Sequence, residues 1–386
     1  MKAQEMHTES TTGSEPLFIQ VADQIAQMLE RLEGRPLPSE RDLARDFSVN
    51  RATVRRAIAK LHDDGTLFRR SAGNRRLVSA PDLANATLAV CIPLSEYDYA
   101  AAGSKTDWGF ADLMGASHIP IHVGASNVLR EAAVGGSIWL DVDQSFIAAS
   151  RSVESVENLL RTRNITGVIY WPILPAPEAV LRQLRAIQAR VPLVLIDRQI
   201  WGFEADHANF DLNLGGRLMG RHLLDQGHQQ IAFIGNALPD FVHTYFLGVE
   251  SALAMDGRAI APQNAFFIRN ESLDIKYILD PLFSRPLEQR PTALVCANDT
   301  LARMALTWLS ARGLSAPRDL AVVGVDDCNP VAGELLGLTT LRLSYQELGR
   351  TAAQLLLDRI SHPTLSPQPL TRLVTPTLMV RRTCGA

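Results

Sequence analysis

Cysteine is scarce in this 386-residue chain, and the four present (Cys91, Cys296, Cys328, Cys384) stand far apart, with no CxxC pair and no histidine at metal-binding spacing. That argues against a zinc cluster or a disulfide framework and predicts reduced thiols in a cytoplasmic protein without a metal. No apolar run approaches the roughly 20 residues that a membrane span needs, so no membrane partner is expected. Residues 1–14, rich in Thr, Ser and Glu, lack the apolar stretch of a signal peptide and read as a frayed tail. Common catalytic signatures are missing too: there is no GxSxG elbow, no P-loop, no HExxH and no clustered His/Cys set. The expectation is a protein that is not an enzyme and needs no cofactor.

What is present is ordinary globular material, 46% hydrophobic and 20% charged, in a chain long enough for two or three compact units. The net charge of −3 hides an asymmetry. Residues 31–80 hold 12 Lys+Arg against 6 Asp+Glu, a balance of +6 that leaves −9 for the remainder. A basic block on an acidic chain suits a polyanionic partner for that block, and a solvated basic face is the plainer alternative.

Within the block the pattern is helical. Phe18, Val21, Ile25, Met28 and Leu32 recur at three- and four-residue steps, and Gly34, Pro36 and Pro38 end the run. Ser39 with Asp42 makes a capping-box-like start for a short second helix carrying Leu43, Ala44 and Phe47 on its buried face. After the turn Phe47-Ser48-Val49, Asn50 caps a third helix running to about Asp64, with Val54, Ile58 and Leu61 inward and Arg51, Ala52, Thr53 and Arg55 in its first turn. Leu67–Arg70 and Arg75–Val78 then read as a hairpin around Gly73. A helix entering the major groove N-terminus first puts such arginines on base edges, while Arg41 and the hairpin's Arg69, Arg70, Arg75 and Arg76 suit the phosphate backbone or minor groove.

Residues 79–86 read as a linker. Beyond them, apolar runs (88–92, 138–142, 167–171, 193–196, 231–234, 293–296, 321–325) alternate with helical segments (153–163, 179–190, 215–226, 300–312). This predicts an α/β body of two lobes with parallel, doubly wound sheets, which place ligands at the strands' carboxyl ends. Boundaries are expected at 15–78 for the winged helix-turn-helix and 87–384 for the body, its first lobe about 87–209 with 342–372, its second about 210–341 with 373–384.

Leu37-Pro-Ser-Glu-Arg-Asp-Leu-Ala, Val49-Asn-Arg-Ala-Thr-Val-Arg-Arg-Ala and Leu61-His-Asp-Asp-Gly-Thr-Leu, in that order and spacing, resemble the DNA-binding head of the GntR family over residues 17–78. The resemblance implies DNA contacts from Arg41, Asn50, Arg51, Thr53, Arg55 and Gly73, to which the basic hairpin adds Arg75. Ala52 stands where a hydroxyl residue is common and Arg75 replaces a second wing glycine, so the operator sequence is not transferable.

Val191-Pro-Leu-Val-Leu-Ile-Asp-Arg, Gly227-His-Gln-Gln-Ile-Ala-Phe-Ile-Gly, Cys296-Ala-Asn-Asp, Val323-Gly-Val-Asp-Asp and Leu338-Thr-Thr-Leu resemble the LacI/GalR-type effector domain, whose fold is similar to periplasmic sugar-binding proteins. That resemblance implies two lobes joined by three crossovers, and a cleft ligand held by Asp197, Asn298, Asp326 and Tyr345. His243 and Tyr245 stand in the stretch where a ligand-binding arginine is usual, and they offer one donor each rather than a fork. Asp299 and Asp327 have an equally good alternative use in tying loops, and His228 reads as structural. Residues 95–118 exceed the family's loop and carry Tyr97, Tyr99, Trp108 and Phe110, suiting either a lid or a surface contact. Together the two resemblances imply a homodimeric repressor of a near-palindromic double-stranded operator, nucleoid-associated, released by a small polar effector such as a sugar.

Overall fold

The computed structural model describes residues 16–32, 37–63, 67–71, 74–79, 83–92, 110–141, 152–236, 240–268, 274–362 and 368–385. The chain divides into two compact units, residues 1–82 with 358–367, and residues 83–357 with 368–386.

The first unit holds α1 (Leu17–Leu32), α2 (Glu40–Asp46), α3 (Arg51–Asp63) and the antiparallel pair β1 (Leu67–Ser71) and β2 (Asn74–Ser79). Its core comes from the periodic residues: Val21, Ile25 and Leu29 of α1 meet Leu37, Leu43, Val54, Ala57 and Leu61. Arg56 lies over the Phe18 ring at 4.4 Å, adding a cation–π contact at the edge of that core. The capping box forms: Ser39 Oγ donates to Asp42 Oδ2 at 2.6 Å and accepts from the Asp42 amide. Asn50 Oδ1 caps α3 by accepting from the Thr53 amide at 2.8 Å and the Thr53 hydroxyl at 3.0 Å. Ser48, between the helices, takes φ 54°, the left-handed turn that lets α3 leave α2 at an angle.

The second unit contains two six-stranded sheets. The first has the order β13-β7-β6-β5-β3-β4, from β3 (Thr87–Ile92), β4 (Gly136–Asp141), β5 (Ile165–Tyr170), β6 (Leu193–Ile196), β7 (Asp206–Phe210) and β13 (Thr371–Val374), all parallel. The second has the order β14-β12-β11-β10-β8-β9, from β8 (Ile231–Asn236), β9 (Ala265–Ile268), β10 (Ala293–Cys296), β11 (Ala321–Asp326), β12 (Thr339–Arg342) and β14 (Thr377–Met379), with only β14 antiparallel. The chain passes between the sheets three times, after β7, after β12 and between β13 and β14. This is the two-lobed α/β architecture the alternating pattern predicts. Strands such as Leu193–Ile196 and Ala293–Cys296 are buried at every residue, which is why they read as unbroken apolar runs.

Helices cover the sheets: α4 (Phe110–Glu131), α5 (Val153–Thr162), α6 (Glu178–Gln188), α7 (Leu212–Asp225), α8 (Asp240–Met255), α9 (Lys276–Phe283), α10 (Asp299–Ser310), α11 (Pro330–Leu336) and α12 (Tyr345–Ser361). No described helix is long and apolar enough to cross a membrane. Helices α7 and α8 touch backbone to backbone, since a Cβ on Gly216 would strike the Tyr245 carbonyl and one on Gly248 the Asn213 carbonyl. His228 acts structurally: its Nδ1 meets Thr292 Oγ1 at 3.0 Å, and its Nε2 meets the Cys384 carbonyl at 3.3 Å, pinning the last turn of the chain. The long loop expected over 95–118 is shorter than it reads, because Phe110–His118 form the opening turns of α4; Tyr97, Tyr99 and Trp108 lie outside the described residues.

Candidate functional site

Two carboxylates from different lobes converge at the carboxyl ends of their strands. Asp197 follows β6 at φ 64°, and Asp326 ends β11 at φ 116°. Left-handed backbone at a non-glycine residue costs on the order of 1–3 kcal/mol, and it clusters where a side chain must be aimed. Burial pushes the Asp326 carboxyl well above the usual carboxylate range, and the charges of Asp299 and Asp197 push it further, with Arg198 pulling the other way. Burial raises Asp197 as well, against the Arg198 guanidinium 3.7 Å from its Oδ2 and the nearby Trp171 indole.

Aromatic rings close the first-lobe side. Tyr345, the first residue of α12, is buried; it stacks on Trp171 (centroids 6.2 Å, 26°) and takes Phe210 edge-on at 5.3 Å. Trp171 in turn meets His118 of α4 edge-on at 5.4 Å. The Tyr345 hydroxyl is pushed well above its ordinary value by burial, then by Asp326, Cys328 and Asp197, so it stays a neutral donor and acceptor. The Cys328 thiol, raised by burial and then by Asp326, Asp299 and Asp197, borders the same space.

Behind this surface, Asp299 accepts from Thr340 Oγ1 at 2.5 Å and from the Asp327 amide at 2.9 Å, which anchors the turn that carries Asp326. It fits only because residue 324 is glycine, since a Cβ there would overlap the Asp299 carboxyl. Asp327, buried, pairs with Arg342 Nη2 at 2.7 Å and Arg381 Nη2 at 3.1 Å. Both residues therefore take the loop-tying use rather than a ligand-facing one.

Of the residues predicted to hold a ligand, Asp197, Asp326 and Tyr345 come together. Asn298, just past the carboxyl end of β10 beside β11, caps α10, its Oδ1 accepting from the Leu301 amide at 2.8 Å. His243 is exposed and stacks on Phe267 at 4.7 Å. Tyr245 is buried beside Cys296 and Asp299, with no hydrogen-bond partner for its hydroxyl among the described residues. Residues two apart on a helix face different ways, so His243 and Tyr245 serve different surroundings. Sequence reasoning missed Trp171, Arg198 and His118. Arg198 could have been found by its adjacency to Asp197, and Trp171 by its place at the end of an apolar strand.

In the first unit, the opening turn of α3 presents Arg51, Ala52 and Arg55 to solvent, and Arg41 is exposed on α2. Glu40 binds both arginines of that turn, with Oε2 3.4 Å from Arg51 Nη2 and 2.9 Å from Arg55 Nε. The hydrogen bond from Arg55, then the charges of Arg55 and Arg51, hold the Glu40 carboxyl below its ordinary range despite some burial. Arg75 lies on β2, and Gly73 is outside the described residues.

Comparison with known proteins agrees with this division. Residues 19–73 match the family described as bacterial regulatory proteins, gntR family, and residues 221–384 match the periplasmic binding protein-like domain. An arabinose metabolism transcriptional repressor of Geobacillus stearothermophilus is 27% identical over 361 residues, covering 89% of this chain and 91% of that one. The HTH-type transcriptional repressor PurR of Haemophilus influenzae is 33% identical over 199 residues; that match spans 50% of this chain and 57% of the relative. Among solved structures, a LacI family transcriptional regulator of Enterococcus faecium with bound ribose superposes with a TM-score of 0.55 at 24% identity, over 77% of this chain and 98% of that one.

Proposed function

We propose that this chain, a GntR-family winged helix-turn-helix head fused to a LacI/GalR-type, periplasmic-binding-protein-like body, is a ligand-responsive transcriptional repressor that a small polar effector releases from its operator. The observation that carries the reading is the meeting of Asp197 and Asp326, one from each lobe, beside Tyr345. A ligand seated between carboxylates on separate lobes favours one lobe arrangement over another, and that preference is what couples it to the head. Sugar hydroxyls suit such a site because they donate to acceptor-only carboxylates. The matched relatives are transcriptional regulators, one concerned with arabinose metabolism and one solved with ribose, which supports a sugar as effector.

The head supplies the output. Arg51, Arg55 and Arg41 make the reading and phosphate contacts, Asn50 and Thr53 hold the first turn of α3 in shape, and Gly73 with Arg75 carries the wing to the backbone. Two heads of a cytoplasmic, nucleoid-associated homodimer bind the halves of a near-palindrome. The test is a thermal-shift screen of sugars, with hits repeated in an operator-binding assay on DNA selected from random sequence. A sugar that stabilises the protein and weakens operator binding is the expected result. A stabilising sugar that leaves DNA affinity unchanged refutes the switch.

A further inference from the structure

One buried carboxylate is shared by the two strands that lead out of and back into the second lobe. The Asp327 side chain has no surface in solvent, and its Oδ2 accepts from Arg342 Nε at 2.8 Å and from Arg381 Nη2 at 3.3 Å. Arg342 is the last residue of β12, where the chain leaves for the first lobe. Arg381 stands two residues past β14, the strand that follows its return. Tying a loop needs one such partner, and this carboxylate has two.

The turn so held is strained. Asp326 and Asp327 are consecutive residues at φ 116° and 48°, and such backbone persists only where its surroundings over-determine it. The main chain joins the same parts, since the Leu343 amide, the first past β12, donates to the Asp326 carbonyl at 3.1 Å. Arg381 is 5% exposed and directs its other donors to Glu334 Oε1 at 2.8 Å and the Leu338 carbonyl at 2.7 Å. Gly333, inside α11, leaves room for it: a Cβ there would stand 2.9 Å from both Arg381 Nη1 and Asp327 Oδ1. Glycine otherwise disfavours the middle of a helix. Parting a buried carboxylate from its guanidinium strands charge in the interior, so Asp327 follows its arginines when the strands shift.

We propose that the Arg342–Asp327–Arg381 bridge couples movement of the lobes to the turn that carries Asp326, with Asp327 as its positioning residue. The proposal rests on the switch reading above and names the device by which cleft and hinge strands affect each other. Hydrogen exchange on the full-length, ligand-free protein, resolved to single amides, tests it, because each variant loosens a different strand. Arg342→Gln, at a side chain 40% exposed, is expected to speed exchange about tenfold at Leu343 and Tyr345 and to leave Arg381 at its wild-type rate. Gly333→Ala, which crowds Arg381 off the carboxylate, is expected to do the reverse. Asp327→Asn is expected to loosen both strands. In all three variants the Leu214 and Gly215 amides, bonded to Asp211 at the crossover after β7, are expected to keep wild-type rates. Should Asp327→Asn not fold, the other two variants carry the contrast. Faster exchange at the Asp327 amide alone, or equal loosening of all these amides in every variant, overturns the bridge.

Operator release is the second readout. With arabinose and ribose as probes, Arg342→Gln is expected to lose no more than about threefold in sugar affinity, while the ratio of operator affinities without and with sugar falls about fivefold. A merely structural part lowers stability and leaves that ratio alone, so a wild-type ratio in the variant overturns the coupling. Absence of sugar binding in the wild type removes the switch reading instead, and the bridge is then decided by exchange, which uses no ligand.

Discussion

Arg51 and Arg55 in the head keep 59% and 62% of their side-chain surface in solvent, whereas Asp197 in the body keeps 17%. The difference fits what each region is proposed to meet. A polyanion brings its own charge and releases counterions on binding, so an exposed arginine is cheap to hold ready and is tuned by salt. A small neutral ligand brings only hydrogen-bonding groups. Acceptors for it must be sunk, aimed and partly desolvated, and that cost shows in the raised Asp197 and Asp326 carboxyls and in their positive φ angles. On the proposed reading the head is selective by where its charges stand, and the body by how its acceptors are sunk and aimed.

If the two regions divide the work this way, single substitutions separate them. The largest effect is expected from Arg51→Ala, which removes a guanidinium proposed to read bases: operator affinity falls on the order of 100-fold, the upper end for a bidentate contact. Fluorescence anisotropy on selected operator DNA measures it, and an unchanged sugar-induced thermal shift shows the body intact. Operator affinity equal to wild type removes α3 from the reading role. The mirror experiment, Asp326→Ala, deletes a sunken acceptor, and about 30-fold weaker sugar binding is expected with ligand-free operator affinity retained. Loss of both activities in either variant breaks the comparison, because charge placement and buried acceptors then no longer act apart.

The sequence made the head and the fold class readable because each rests on local signals. Caps at Ser39 and Asn50 and runs such as Leu193–Ile196 carry their meaning within a few residues. The helix Phe110–Glu131 hid because Pro120, a residue that usually ends a helix, stands inside it and because its apolar residues follow no clean stripe. Gly124, mid-helix, is there for a tertiary reason, since a Cβ would strike the Gln346 carbonyl of α12. The strand Asp206–Phe210 hid behind polar residues that are nonetheless buried; Asp206 accepts from the Leu370 amide where β13 begins. Asp197 and Asp326 were legible through the motifs around them. Trp171 was not, because its place against Tyr345 and His118 exists only once those distant segments are brought together.

A smaller effect tests whether buried charge in the body is as costly as the comparison holds. Burial sets Asp299 at about 7, against hydrogen bonds from Thr340 and the Asp327 amide, while its ordinary value is 3.8. Between those values the folded body keeps a proton that the unfolded chain has lost. Stability is therefore fully present near pH 4, declines as pH rises to about 7, and is flat in this respect above it. Asp197 and Asp326 are raised too and slope the same way. Asp299→Asn is expected to shrink the fall in melting temperature between pH 5 and 8 by about 2–4 °C. Parallel wild-type and variant profiles in that range show that Asp299 is ionised throughout.

The smallest effect lies in the head and concerns Glu40. Its carboxylate engages Arg51 and Arg55 together, and all three side chains are more than a third exposed, so the pairs add little to stability. Their consequence is for DNA. A phosphate approaching either guanidinium competes with Glu40 and feels its negative charge, which taxes any contact that does not also reach the bases. Glu40→Gln keeps the shape of the first turn of α2, removes one negative charge and frees both arginines. Binding to random DNA is expected to tighten about five-fold and to selected operator about two-fold, so the specificity ratio falls while the melting temperature holds. The gain should fade as salt rises, since the freed charges act through the ion atmosphere. A Glu40→Gln protein that binds operator and random DNA more weakly assigns Glu40 the opposite part, that of orienting the arginines for the groove, and makes the head, like the body, a region that prearranges its charges.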